Sequence, residues 1–266
     1  MKYVFDNDLH IHSKISSCSA DPEQTNERIL KYAIDNNLKT ICLTNHFWDE
    51  TVIGASQWYK SLDYARVASA KPLPQTDGVN FLFGCEIDLN KDFVLGMSKE
   101  RFDLFDFVVV STTHFHMTGF TLSEKDAESV EGRAGAWSKR LEAVLNMSLP
   151  FNKIGFAHLT CPLISPKRDR DIYLKILESI PEREMERIFS KVAQLGAGIE
   201  LNYQDMCFKD EEKEIVLRPY RIAKNCGCKF YMGSDAHHPD IFEIARGIFE
   251  RAIDLLDLKE EDKFCI

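Results

Sequence analysis

FVVVSTTHFH, residues 107–116, is an apolar run that turns polar and closes on two histidines. An unbroken apolar run, rather than an alternating one, fits a strand covered on both faces, as in a parallel sheet flanked by helices. His114 and His116 then stand at the strand's C-terminal end. The same design recurs along the chain. TICLTNH closes on His46, KIGFAHL reaches His158, and CKFYMGSDAHH closes on His237 and His238. At the amino end, YVFDNDLHIH supplies His10 and His12. All eight histidines lie behind such runs, and helix-like stretches hold none.

Working outward, strands are expected at about 3–9, 40–46, 80–89, 106–114, 153–159, 197–203 and 228–237. Helices are expected between them, at about 22–37, 56–70, 98–104, 134–147, 169–179, 182–195, 211–225 and 240–256. Asp21 is the expected cap of the first, with Pro22 at its first position, and Ser56 the expected cap of the second. Pro181 divides the helices at 169–179 and 182–195. Residues 117–133 form a polar insert that could serve as a lid or as plain loop. Seven strands alternating with helices mean an α/β fold. An open sheet gathers its site at one switch point, whereas a barrel brings every strand end to one mouth. Since nearly every strand here ends in His, Asp or Glu, a TIM-like barrel with its site at the C-terminal strand ends is expected, as one domain over 1–266.

Composition narrows the function. The chain has 266 residues, 44% hydrophobic, with a formal charge of −9. That excess of acid argues against long nucleic acid or a membrane surface as partner. No run approaches the roughly 20 apolar residues of a membrane span, and MKYVFDNDLHIH has no secretory pattern. A cytoplasmic location is expected. The eight cysteines lack a disulfide-scaffold spacing. Cys226 and Cys228 form a C-x-C without a second pair to complete a zinc site.

Three motifs carry chemistry. His10-x-His12 puts two imidazoles on one side of an extended chain, where both can hold one cation. In GCEID, Glu86 ends an apolar strand, and a carboxylate there must be paired or bind a cation. Its two oxygens could bridge two ions about 3.5–4 Å apart. In GSDAHH, Asp235 and His237 repeat the alternate-residue geometry. His46, His114 and His158 complete the set. Each alone reads as an ordinary buried or looped residue. Six imidazoles and two carboxylates at matching strand ends have no such bland account, because each buried polar group would need its own partner. His116 is a weaker ligand and a candidate substrate contact. His238 reads as a loop histidine.

The order DLHIHS, LTNH, GCEID, STTHF, GFAHL, GSDAH resembles the PHP family, named for polymerases and histidinol phosphatases, from Asp8 to His237. IELN (Glu200 to Asn202 within it) adds likeness to the stand-alone histidinol-phosphatase-like branch. The resemblance implies a distorted (β/α)7 barrel and a metal-dependent phosphatase with two to three divalent ions. The first ion would be held by His10, His12, Glu86 and Asp235. Glu86 would bridge to a second, held also by His114 and His158. A third would use His46 and His237. The family's further ligand after H-x-H is a His or Asp; this chain has Ser17 and Cys18 there, so Cys18 is the expected substitute. The catalytic set is thus His10, His12, Glu86, Asp235 and His237.

Imidazole with bridging carboxylate suits zinc, manganese or iron. Such a cluster activates water without a protein base. The expected reaction is hydrolysis of a phosphate monoester of a small metabolite, histidinol phosphate by resemblance. A phosphodiesterase or 3′-end nuclease acting on nucleotides or short oligonucleotides is the alternative, and a non-catalytic metal-binding domain a second. SPKRDRD offers Lys167, Arg168 and Arg170 as phosphate partners, Arg168 first. His116 and Asn202 complete the expected substrate contacts.

Overall fold

The computed structural model describes residues 1–19 and 21–266. Among these are eight strands: β1 (Asn7–Ile11), β2 (Thr40–Leu43), β3 (Asn80–Phe83), β4 (Cys85–Asp88), β5 (Val108–Ser111), β6 (Ile154–Ala157), β7 (Gly198–Asn202) and β8 (Lys229–Gly233). The α-helices are α1 (Asn26–Asp35), α2 (Tyr64–Ala68), α3 (Glu124–Ala127), α4 (Val130–Leu145), α5 (Arg170–Ser179), α6 (Glu182–Leu195), α7 (Tyr203–Met206), α8 (Lys213–Asn225) and α9 (Ile241–Leu255). None is long and apolar enough to cross a membrane.

Every strand pairing is parallel. β1-β2-β3 form one sheet and β4-β5-β6-β7-β8 the other. This is the α/β class that the apolar runs imply. The strand ladders form two sheets rather than one closed ring. Hydrogen bonds nonetheless join the sheets at both seams. Gly84 N–H donates to Leu43 C=O at 2.8 Å, and Glu86 N–H to Asn45 C=O at 3.1 Å. At the other seam Asp235 N–H donates to His10 C=O at 2.7 Å, and His12 N–H to Ala236 C=O at 3.1 Å.

The single strand expected at 80–89 is two strands, so seven becomes eight. The break falls at Gly84. A Cβ there would lie 2.5 Å from the Phe107 carbonyl oxygen and 2.6 Å from Cys42 Sγ. Only glycine lets the chain pass this close while moving from one sheet to the other.

Alternation along the strands sorts the core. Val108 and Val110 pack in the large cluster with the helices, while Val109 joins Leu9, Cys42, Phe107, Ala157, Tyr231 and Phe264 in a small one. Glu86 stands opposite Val109 in register, between Cys85 and Ile87 of the large cluster. Its carboxylate therefore shares the inner face, above that small cluster.

Helix starts differ from expectation. Thr25, not Asp21, caps α1 by accepting from Arg28 N–H at 3.2 Å; Asp21 caps only the turn at Glu23. Ser56 Oγ only accepts from Tyr59 N–H at 3.3 Å, ahead of a short 3-10 turn at Tyr59–Ser61, and Asp63 caps α2. In both places a second capping residue lay a few positions on, and it won. Pro181 does divide α5 from α6. The start of the polar insert is anchored, since Thr121 and Leu122 are buried. The buried Arg140 of α4 donates to the carbonyls of Leu89 (2.5 Å), Asn90 (3.1 Å), Thr112 (2.7 Å) and Thr121. It staples the insert to the ends of β4 and β5.

Gly84→Ala is expected to destabilise the fold by about 1–3 kcal/mol through overpacking. The check is urea unfolding, which should show a lower midpoint with an unchanged slope.

Candidate metal centre

Glu86 sits at the centre of the donors, with 1% of its surface exposed. Its two oxygens face different groups. Oε2 lies 3.4 Å from His10 Nε2, 3.2 Å from His12 Nε2 and 3.0 Å from His46 Nδ1. Oε1 lies 3.1 Å from His158 Nε2 and 3.8 Å from His114 Nε2, and accepts from Ser111 Oγ. Asp235 Oδ1 closes the first side, at 3.1 Å from His12 and 3.5 Å from His10.

Three sets of ligand atoms each fall within 4.8 Å of one another: His10, His12, Glu86 and Asp235; Glu86, His114 and His158; and His12, Cys18, His46 and His237. The first two coincide with the sets implied by resemblance. The third gains His12, which also belongs to the first. The strands explain the convergence: His10 and His12 leave β1, Glu86 lies on β4, His114 follows β5, His158 follows β6, and Asp235 and His237 follow β8. His158 (φ +34) and Asp235 (φ +50) hold left-handed backbone. That local strain is tolerated where the surroundings fix a side chain's aim.

Most rings are oriented from behind. His10 Nδ1 meets Glu200 Oε1 at 2.7 Å, and Glu200 Oε2 also accepts from His158 N–H at 2.6 Å. His114 Nδ1 meets Asp88 Oδ2 at 3.0 Å, and Tyr59 OH donates to the same carboxylate. His158 Nδ1 meets Thr113 Oγ1 at 2.9 Å, His12 Nδ1 meets Ser16 Oγ at 3.3 Å, and His237 Nδ1 donates to the Asp235 carbonyl at 2.7 Å. Such partners fix tautomer and ring plane. Sequence reasoning gave Asp88 and Glu200 no role. A signal existed for both: Asp88 shares the face of Glu86 two residues on, and Glu200 is a charge inside the apolar run GIEL.

The electrostatics favour positive charge among the donors. His10 Nε2 and His12 Nε2 face each other at 3.2 Å. With its Nδ1–H given to Glu200, neutral His10 has only a lone pair on Nε2, so a proton or a cation must sit between the rings. Burial opposes charge on His10, but Glu200, Asp235 and Glu86 outweigh it and hold its pKa well above the ordinary value. His158 is likewise raised well above its ordinary value against burial, by Cys161 and Glu86. His12 is raised against burial by Asp235 and Glu86. Burial opposes charge on Glu86 too, yet the imidazoles of His46 and His10 keep it well below the usual carboxylate range. At the outer edge burial dominates: it brings His46 down to about 3, and His116 and His237 down to about 4. Cys18 is exposed as a residue, but its sulphur faces His237 and Ser16, and desolvation there pushes the thiol up to about 12. The donor set fits divalent transition ions, which would take the place of the buried protons.

A cavity of about 400 Å³ opens over this cluster. Its walls include Trp58, Tyr59, His116, Met117, Leu163, Arg168 and Gln204. Of the expected substrate contacts, His116 and Arg168 line this cavity. Arg168 (φ +57) follows Lys167 (φ +53), two successive left-handed residues that set the arginine against the cavity. The other expectations need correction. Arg170 is held away by Glu212, with Nε to Oε1 at 2.7 Å and Nη2 to Oε2 at 2.5 Å. Lys167 is exposed and does not line the cavity. Asn202 is buried and caps α7 by accepting from Gln204 N–H at 2.8 Å. His238 is exposed and pairs with Asp21 at 2.9 Å, as a loop histidine would.

Metal uptake by the metal-free protein is expected to release protons. The sign follows from the raised pKa values of His10, His12 and His158: the surrounding acidic groups favour the protonated rings, and ligation needs them neutral. Affinity should therefore rise with pH and weaken as pH falls, as calorimetry in buffers of different ionisation enthalpy would show. Glu200→Gln or Asp88→Asn should weaken metal affinity about 10–100-fold without unfolding the protein.

No curated protein matches the chain. Among solved structures, a histidinol phosphate phosphatase from Lactococcus lactis subsp. lactis, complexed with zinc, L-histidinol and phosphate, is 19% identical. It superposes with a TM-score of 0.56, with 93% of each chain covered, which is a likeness of fold. A probable 2-pyrone-4,6-dicarboxylic acid hydrolase from Acinetobacter baumannii, with citric acid bound, is 12% identical over 97% of each chain, at a TM-score of 0.42. The family described as PHP domain matches residues 8–204.

Proposed function

The chain belongs to the PHP domain family, and from that premise we propose that it is a metal-dependent phosphatase acting on a small phosphate monoester. L-histidinol phosphate is the first candidate, because the neighbour of like fold is a histidinol phosphate phosphatase. One observation carries the reading: the two oxygens of Glu86 face two separate donor sets. A carboxylate so placed suits a two-ion centre. His10, His12, Glu86 and Asp235 would hold one ion, and Glu86, His114 and His158 the other. We read the two joined sheets as a distorted barrel whose strand ends form this mouth.

When bound, such ions supply Lewis acidity that activates water and neutralises phosphoryl oxygens. The chain's own residues do the rest. Arg168 offers two parallel N–H donors to a phosphoryl oxygen pair. His116, kept neutral at working pH by burial and by His114, can donate or accept one hydrogen bond to substrate. Trp58, Met117 and Leu163 form the apolar wall for the alcohol portion, and Gln204 its neutral polar contact. Glu200 and Asp88 keep His10 and His114 aimed at the centre. The cavity size suits a small metabolite, and we place the protein with that class of partner rather than with long nucleic acid.

The test is release of phosphate by protein loaded with Mn²⁺, Zn²⁺ or Fe²⁺. p-Nitrophenyl phosphate and histidinol phosphate should be hydrolysed, and Asp235→Asn should lower kcat/KM by about a hundredfold or more, beyond the loss of a supporting residue. Arg168→Ala should act mainly by raising KM. Turnover of bis-p-nitrophenyl phosphate or nucleotides without monoester hydrolysis would move the reading to a phosphodiesterase. No turnover by any loaded form would leave a metal-binding domain.

A further inference from the structure

Cys18 stands where the outermost donors meet. Its Sγ lies 2.9 Å from His237 Nε2 and 3.2 Å from Ser16 Oγ. His237 has given its Nδ1–H to the Asp235 carbonyl, so its Nε2 presents a lone pair toward the sulphur. The ring of His237 stacks on that of His12 with centroids 4.3 Å apart, and His46 lies beyond at 4.8 Å from His12. His12 cannot serve this group and the inner one with the same nitrogen. Its Nε2 lies 3.2 Å from Glu86 and 3.1 Å from Asp235, the carboxylates it shares with His10. That commits the ring inward. The outer group is then Cys18, His46 and His237, with a fourth position open to the cavity that all three line.

The third ion that the resemblance implies would fall among these three residues, and we propose that Cys18 sets its chemistry apart from the inner pair: a thiolate site selective for thiophilic ions, Zn²⁺ or Co²⁺, that rejects Mn²⁺ and Mg²⁺. The proposal rests on the phosphoesterase reading for its setting, but on Cys18 for its content. The inner sets contain only imidazole and carboxylate, ligand types that suit Mn²⁺ and Fe²⁺ as well as Zn²⁺. A thiolate changes that preference, because soft sulphur favours Zn²⁺ and Co²⁺ over oxygen-seeking ions. Three protein ligands with one open position is also the pattern of a zinc site that keeps an exchangeable place. Binding is balanced simply: the Cys18 S–H bond breaks, its proton passes to solvent, and the thiolate pair forms the bond to the cation. The inner donors His10, His12, Glu86, His114 and His158 are buried and Asp235 is partly so, whereas Cys18 is exposed. The outer ion is therefore the one that exchanges first.

Two measurements test this without relying on turnover. Metal-free protein is titrated with Co²⁺ and followed in the near ultraviolet. The expected result is a thiolate-to-cobalt charge-transfer band that Cys18→Ser abolishes, together with the loss of one bound Co²⁺ per chain while the inner ions stay. Cys18→Asp should keep the ion and lose the band. Second, in the unaltered protein, Ellman's reagent titrates exposed thiols, of which Cys18, Cys207 and Cys265 are three. Zn²⁺ should protect one thiol and Mn²⁺ none. An absent band in the wild type, or equal protection by Zn²⁺ and Mn²⁺, would overturn the proposal. Loss of phosphatase activity with the band intact would instead strike the phosphoesterase reading alone.

Discussion

A buried carboxylate encircled by imidazoles governs this molecule. Glu86 is almost fully enclosed, and every neighbour that could neutralise it is itself a buried ring. Without a cation, protons must sit among these rings, on groups whose burial resists charge. Desolvation and Coulomb attraction are both large here and oppose each other. A divalent ion resolves the conflict with one species, since it satisfies several lone pairs and the carboxylate together. The ring positions, the supporting carboxylates Glu200 and Asp88, and the shape of the cavity all follow from keeping that arrangement in place.

The fold provides the rigidity. Strands in parallel register bring their C-terminal ends to one side, and the turns beyond them carry the donors. Gly233 shows how tight the fit is: a Cβ there would sit 1.8 Å from Glu200 Oε1 and 2.8 Å from His10 Cβ. The backbone of β8 thus lies directly against the His10–Glu200 pair. Arg140 does comparable work from the helix side, holding the segment that carries His114 by the carbonyls of Thr112 and Thr121.

Much of this was legible in the chain. The apolar runs gave the α/β class and the histidines behind them the candidate ligands, while their division into two inner donor sets came from the family resemblance. Physical detail hid the rest. Gly84 divides one apolar run into two strands because of contacts with Phe107 and Cys42, which no local pattern records. Glu200 stands out as a charge in an apolar run, but its partner is hidden until His10 is brought beside it from the far end of the chain. Arg170 stood behind Arg168 as a phosphate candidate, two residues away, but Glu212 from a distant turn captures it. The double claim on His12 is likewise visible only in three dimensions. Periodicity reports which face is buried; it is silent on which charge meets which.

The central claim is that Glu86 bridges two ions. Anomalous diffraction from crystals of protein purified without chelator, at the zinc, iron and manganese edges, tests it most directly. The account predicts one peak among His10, His12, Glu86 and Asp235 and another among Glu86, His114 and His158, one beside each carboxylate oxygen. A cluster without anomalous density, in crystals grown with those metals supplied, would contradict it.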